Sequence, residues 1–201
     1  FRRTIDVARE SASIVLLNDD FFSIVAAVRL GRRIFDNLKK AIGYIFSVHM
    51  PIAGLALFPI LFNLPLVLLP AHIAFLELII DPACSTVFEA EPEEKNIMNR
   101  SPRNLQERMF GRNNMALSLV QGISMLAGVI AIYLYAIYMG KGEVEARTLT
   151  FAALVIANLT LIVANLSWSQ SLIKTLSSEN KALRYVLVGA LSGLLMVLYV
   201  P

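Results

Sequence analysis

Three stretches of this chain hold no charged residue: between Lys40 and Glu77, between Arg112 and Lys141, and between Arg147 and Lys174. Each has room for a membrane-crossing helix, which needs about 20 mostly apolar residues. No other feature constrains the fold as tightly, because backbone polar groups in lipid must be satisfied internally and a helix does so within one segment. Composition agrees: 57% of the 201 residues are hydrophobic and 16% are charged, whereas soluble domains run at roughly 45–50% apolar. The expected class is mainly α, a polytopic transmembrane helix bundle.

Residues 1–40 read differently. The run SIVLLNDD (Ser13–Asp20) is short, apolar and closed by polar turn residues, which predicts a buried strand. From Phe21 the period lengthens, and Ile24, Val28, Phe35, Leu38 and Ile42 form a helical stripe with Arg29, Arg32, Arg33 and Asp36 mostly on other faces. Asp19 or Asp20 can cap that helix. Apart from Gly31 and Gly43, no breaker separates it from the apolar run behind it, so one long helix is expected to leave a soluble domain and enter the bilayer. The start, FRRTIDVARES, lacks the apolar core of a signal peptide, and the chain reads as part of a longer protein.

The run from Ala41 to Leu76 is too long for one span, and Asn63-Leu64-Pro65 is its turn signal. The expected division is residues 1–40 as cytoplasmic domain and stalk, and residues 41–201 as the membrane domain. The spans fall at about 41–62, 66–88, 113–139, 148–171 and 185–201. Lys and Arg then number sixteen on one side (residues 1–40, 89–112 and 174–184) and two, Lys141 and Arg147, on the other. That asymmetry predicts a cytoplasmic N-terminal segment. The net charge of +3 reflects topology, and nothing points to a nucleic-acid partner. The single cysteine, Cys84, excludes a disulfide framework within the chain and reads as a small packing residue.

Within the expected spans the only acids are Glu77 and Asp81, in FLELIIDPACS. Each costs about 2.5–3.5 kcal/mol at membrane depth if ionised and unpaired. At positions i and i+4 they share one helix face, about 6 Å apart between Cβ atoms. Two carboxylates there repel, so either one is protonated or a cation lies between them. A purely structural pair is the alternative, but no Lys or Arg lies within a span to neutralise it. Pro82 and Pro51 cannot donate to the carbonyls of Leu78 and Ser47, and freed carbonyls are a recurring part of ion sites in membranes. Such hard oxygen ligands suit calcium, magnesium or manganese. His49 is a candidate ligand, proton-sensitive group or packing residue, and His72 reads as interfacial. Asn158 offers a buried amide that can coordinate a cation or join helices.

The stretch DVARESASIVLLNDDFFSIVAAVRLGRRIFDNLKKAIGYIFS resembles the end of the phosphorylation domain and the stalk helix of type II P-type cation ATPases. The similarity continues to NIMNRSPRN, close over the first hundred residues and looser beyond. It implies that the five spans are the fifth to ninth membrane helices of a ten-helix pump, with a short remnant of the α/β phosphorylation domain before them. Carried over from the family's calcium pumps, the sixth-helix ligands fall on Glu77, Ile80 and Asp81, the fifth-helix ligands on His49 and Ile52, and the eighth-helix ligand on Asn158. Only Asp81 keeps the family's residue. Ile52 and Ile80 cannot ligate, which leaves a single-ion site as the expectation. Thr4-Ile5-Asp6 stands where the family has Gly-Thr-Asp.

The resemblance implies ATP-driven transport of a divalent cation, with calcium the leading candidate, in a bacterial plasma membrane. Mg-ATP and the phosphorylated aspartate belong to parts of the pump outside this sequence, so the partners are the N-terminal remainder of the ATPase, lipid and the cation. An ion-coupled carrier or channel using the same acids, or a non-transporting subunit in which they only organise packing, are the alternatives.

Overall fold

The computed structural model describes residues 7, 9–13, 15–16, 20–102, 109, 111–167, 172–176 and 180–199. Among the described residues six helices carry the fold: α1 (Phe21–Leu61), α2 (Pro70–Ala90), α3 (Arg112–Tyr138), α4 (Glu143–Leu166), α5 (Leu172–Leu176) and α6 (Lys181–Tyr199). All but α5 are long and apolar enough to cross a membrane.

The single long helix expected from Phe21 is present. Asp20 starts it, its side chain accepting from the Phe22 amide at 2.9 Å, which satisfies one of the donors that a helix N-terminus leaves free. Asp19 lies outside the described residues. The helix continues unbroken through Pro51 and Pro59 and stops at a turn where Asn63 adopts a left-handed φ of 53°, a conformation asparagine tolerates. Residues 64–69 form no regular element, and α2 begins only at Pro70, whose missing N–H costs nothing at the first helical position. The Gly140 φ of 70° turns the chain after α3, and α4 then starts at Glu143, with Glu143 and Glu145 in the first turn favourable to its dipole.

The strand expected over Ser13–Asp20 is a correction. Ser13, Val15, Leu16 and Asp20 form none, and the other four positions lie outside the described residues. A strand exists only when a neighbour pairs with it, and among the described residues there is no strand to do so.

The core joins Tyr44, Val48 and Leu55 of α1 to Leu76, Ile79 and Ile80 of α2, and to Leu154, Val155 and Ile162 of α4. α4, the most enclosed of the five long helices, is apolar around most of its circumference, as a central helix must be. Against α1 lies α3, at close range. A Cβ on Gly122 would stand 2.6 Å from that of Met50, and Ser47 Oγ lies 3.1 Å from the Ser118 carbonyl. Small residues are what let two membrane helices approach this closely.

The bundle has two distinct ends. At one, Tyr133 and Arg147 donate to the carbonyls of Pro65 and Leu66, gathering the turns after α1 and α3. The other carries the basic stalk and the segments after α2 and α4. Described basic residues Arg29, Arg32, Arg33 and Lys40 of α1 meet residues 89–100 there, and Arg100 of that segment meets Asp36 of α1.

Candidate cation site

Glu77 and Asp81 project from α2 one turn apart, Glu77 half-buried and Asp81 exposed on the bundle surface. Directly behind them Pro82 removes a donor, and the helix answers by widening. Residues Ala83–Val87 form a π-turn, entered with the Ala83 amide shared between the carbonyls of Ile79 and Ile80. Single π-turns of this kind frequently mark functional positions. The helix is not unwound there but locally widened. Ser85 Oγ donates back to the Asp81 carbonyl at 2.7 Å and so occupies one of its lone pairs.

His49 lies on α1, exposed, two residues before buried Pro51. Its Nδ1 is 2.8 Å from the Ile45 carbonyl oxygen. A carbonyl can only accept, so Nδ1 carries the hydrogen, and in the neutral ring Nε2 keeps its lone pair for a ligand. The carbonyl that Pro51 frees, that of Ser47, is turned elsewhere. It packs against α3, where a Cβ on Gly122 would stand only 2.7 Å from its oxygen.

Asn158 sits on α4 with no exposed surface, and neither its amide nitrogen nor its oxygen has a hydrogen-bond partner. An unsatisfied buried amide costs about 1–3 kcal/mol. The same state is found at the Tyr44 hydroxyl, also fully buried. Sequence reasoning missed Tyr44, although a tyrosine between two apolar residues at membrane depth was visible. Ile52 and Ile80, half-buried and buried, pack into the core. His72 is half-buried, its ring centroid 4.4 Å from that of Phe151.

The four candidate ligands thus come from three helices. Among the described residues, no three His, Cys, Asp or Glu side chains are gathered closely enough to hold a metal ion. His49 and Asp81 open outward while Asn158 is enclosed, so the arrangement offers oxygen and nitrogen donors on facing helices without closing a cage.

A second polar cluster escaped the sequence reading. Along the face of α1 between Arg29 and Lys40, side chains engage the segment after α2. Arg32 donates to the carbonyls of Ile97 and Arg100 at 2.7 and 2.8 Å. Arg33 and Asn37 donate to that of Glu91 at 2.9 and 2.8 Å. Asp36 pairs with Arg100 at 2.6 Å, Arg29 with Glu93 and Lys40 with Glu94 at 2.9 Å. The stalk charges at spacings of three and four, facing the acidic run EAEPEE, were the available signal. Burial pushes the Glu91 carboxyl above the usual range, opposed by the hydrogen bond from Asn180 and the Lys40 charge.

Comparison with known proteins covers almost the whole chain. The family model described as cation transporting ATPase, C-terminus, matches residues 65–201. A calcium-transporting ATPase of Bacillus subtilis (strain 168) is 31% identical over 97% of this chain and 22% of its own length. Calcium-transporting ATPase 1 of Lactococcus lactis is 30% identical over 91% and 20%, and the type 2C member 1 enzyme of Mus musculus is 25% identical over 98% and 21%. The chain spans about a fifth of the length of the curated relatives it matches. Five apolar membrane-length helices, acids on the second of them and a match over residues 65–201 lead to one conclusion: the chain belongs to the cation-transporting ATPase C-terminus family.

Proposed function

We propose that this chain forms the cation-binding membrane part of an ATP-driven pump of the type II P-type class. The observation that carries the reading is the pair Glu77 and Asp81, one turn apart at membrane depth and followed by the π-turn at Pro82. Two adjacent carboxylates in a low-dielectric setting are stabilised by a cation between them and destabilised without one. Calcium is the proposed cargo, because the relatives are named calcium-transporting and the donors are mostly oxygen. Asn158 adds an amide whose unsatisfied oxygen suits the same ion, and His49 adds Nε2.

This chain has no Asp-Lys-Thr-Gly sequence, so the proposed hydrolysis of Mg-ATP falls to the remainder of the full-length ATPase. The chain's own part is to bind and release. α1 runs from the basic stalk into the bilayer as one rigid rod of about 60 Å, at ~1.5 Å per residue. A tilt applied at the stalk therefore moves His49, and the proposed site, with it. Protons can return on the same carboxylates once the cation has left. The proposed setting is a bacterial plasma membrane with the stalk in the cytoplasm, supported by sixteen basic residues against two.

The test is Asp81→Asn in the full-length protein. Cation-stimulated ATPase activity is expected to be lost while the protein still folds and inserts. Unchanged stimulation by every divalent cation tried would remove Asp81 from the site.

A further inference from the structure

Lys40 and Glu94 are joined by a 2.9 Å ion pair with side chains only 1% and 8% exposed, at the stalk end of the bundle. Two more elements meet the same point. Ser167 Oγ, at the end of α4, lies 3.5 Å from the same Glu94 oxygen. Asn180 donates to Glu91 Oε2 at 2.8 Å and to the Val87 carbonyl at 3.0 Å, while its own side-chain oxygen accepts from the Leu183 amide and caps α6. The segment 91–94 is therefore tied to α1, α2, α4 and α6 at one level.

That level stands at a nearly constant distance from the candidate ligands. Lys40 is nine residues from His49, Ser167 nine from Asn158 and Glu91 ten from Asp81, about 13–15 Å along each helix. Replacing a buried ion pair by apolar side chains is often neutral or stabilising, so stability alone is a weak reason to keep one. What an ion pair adds is direction: a charge-assisted hydrogen bond fixes distance and angle, whereas apolar side chains slide past one another.

We propose that the buried Lys40–Glu94 pair, with Ser167 and Asn180 around it, is a positioning node that holds α1, α2 and α4 in register and thereby sets the affinity of the cation site. The inference rests on the reading of Glu77, Asp81, His49 and Asn158 as that site. None of the node residues touches the cation; they act through the helices.

The experiment uses the full-length ATPase in detergent, titrated with Ca2+ and with Mn2+ while its melting temperature is recorded. The doubly apolar variant Lys40→Met/Glu94→Leu is expected to melt within about 3 °C of the native protein without cation, yet to need about tenfold more cation for the same rise. A double variant with native cation affinity overturns the node, since the pair is then only packing. A native protein whose melting temperature responds to neither cation removes the site itself, and the node falls with it; the two failures are told apart by the native titration. Where the double variant does not fold, Ser167→Ala gives the same reading. It is expected to weaken the cation response about threefold at unchanged cation-free melting, and a native response in it overturns the proposal.

Discussion

Gly122 of α3 lies so close to α1 that the Cβ it lacks would stand 2.7 Å from the carbonyl oxygen of Ser47, the carbonyl that Pro51 deprives of its helical donor. The proline-freed oxygen thus makes a helix contact and is not presented to a cation. Gly122→Ala forces backbone apart at this contact, because the oxygen it meets cannot rotate away. The variant is expected to lose about 1–3 kcal/mol, read as thermal unfolding in detergent. Gly128→Ala, with nothing within 4 Å of its added Cβ, is the control and should melt as the native protein does. Equal melting of the two variants would show that α3 can simply move aside.

The helices were legible in the sequence because charge cannot enter lipid cheaply, and that constraint is local to each stretch. Asp20 as a cap and the turn at Asn63 were legible for the same reason, since their chemistry acts over two or three residues. The strand expected over Ser13–Asp20 does not form at its four described positions, because strand formation depends on a neighbour that no local pattern reveals. The role of the polar face from Arg29 to Lys40 was not legible for a related reason. Its partners, Glu91 to Arg100, lie more than fifty residues away, and only folding brings them together. At the candidate site, Glu77 and Asp81 could be singled out from spacing and cost. The free Nε2 of His49, the capped carbonyl of Asp81 and the unsatisfied amide of Asn158 needed coordinates.

His49 separates two classes of cargo. With Nδ1 donating to Ile45, an imidazole nitrogen faces outward from α1, and nitrogen ligands favour manganese and later transition metals over calcium. His49→Asn in the full-length protein is expected to raise the manganese concentration for half-maximal ATPase stimulation about tenfold, and to change that for calcium by much less. Equal changes for both ions would exclude Nε2 as a ligand.

Asn158 gives a split between stability and binding. Its amide is enclosed by α4 and its neighbours with both polar atoms unsatisfied, so an apolar residue of similar size relieves a cost of about 1–3 kcal/mol. Asn158→Leu is expected to melt at or above the native temperature without cation, and to lose most of the further rise that calcium gives the native protein. A variant that is both less stable and fully responsive to calcium would make Asn158 a packing residue that holds helices together.

Glu91 makes stability depend on pH. Burial raises its carboxyl above the ordinary value of 4.5, against the hydrogen bond from Asn180 and the charges of Lys40 and Arg33, while Glu94 pushes the same way as burial. A raised folded value means that the folded state holds its proton more tightly than the unfolded one. The associated stability is complete below the ordinary value and is lost as pH rises through the raised one. Glu91→Gln keeps an oxygen for Asn180 and carries no charge. The variant and the native protein are therefore expected to melt together in acid and to diverge on approaching neutrality, with the variant higher. Parallel melting curves across that range, or a variant that melts lower at neutral pH, would mean that Lys40 and Arg33 hold Glu91 ionised at no cost.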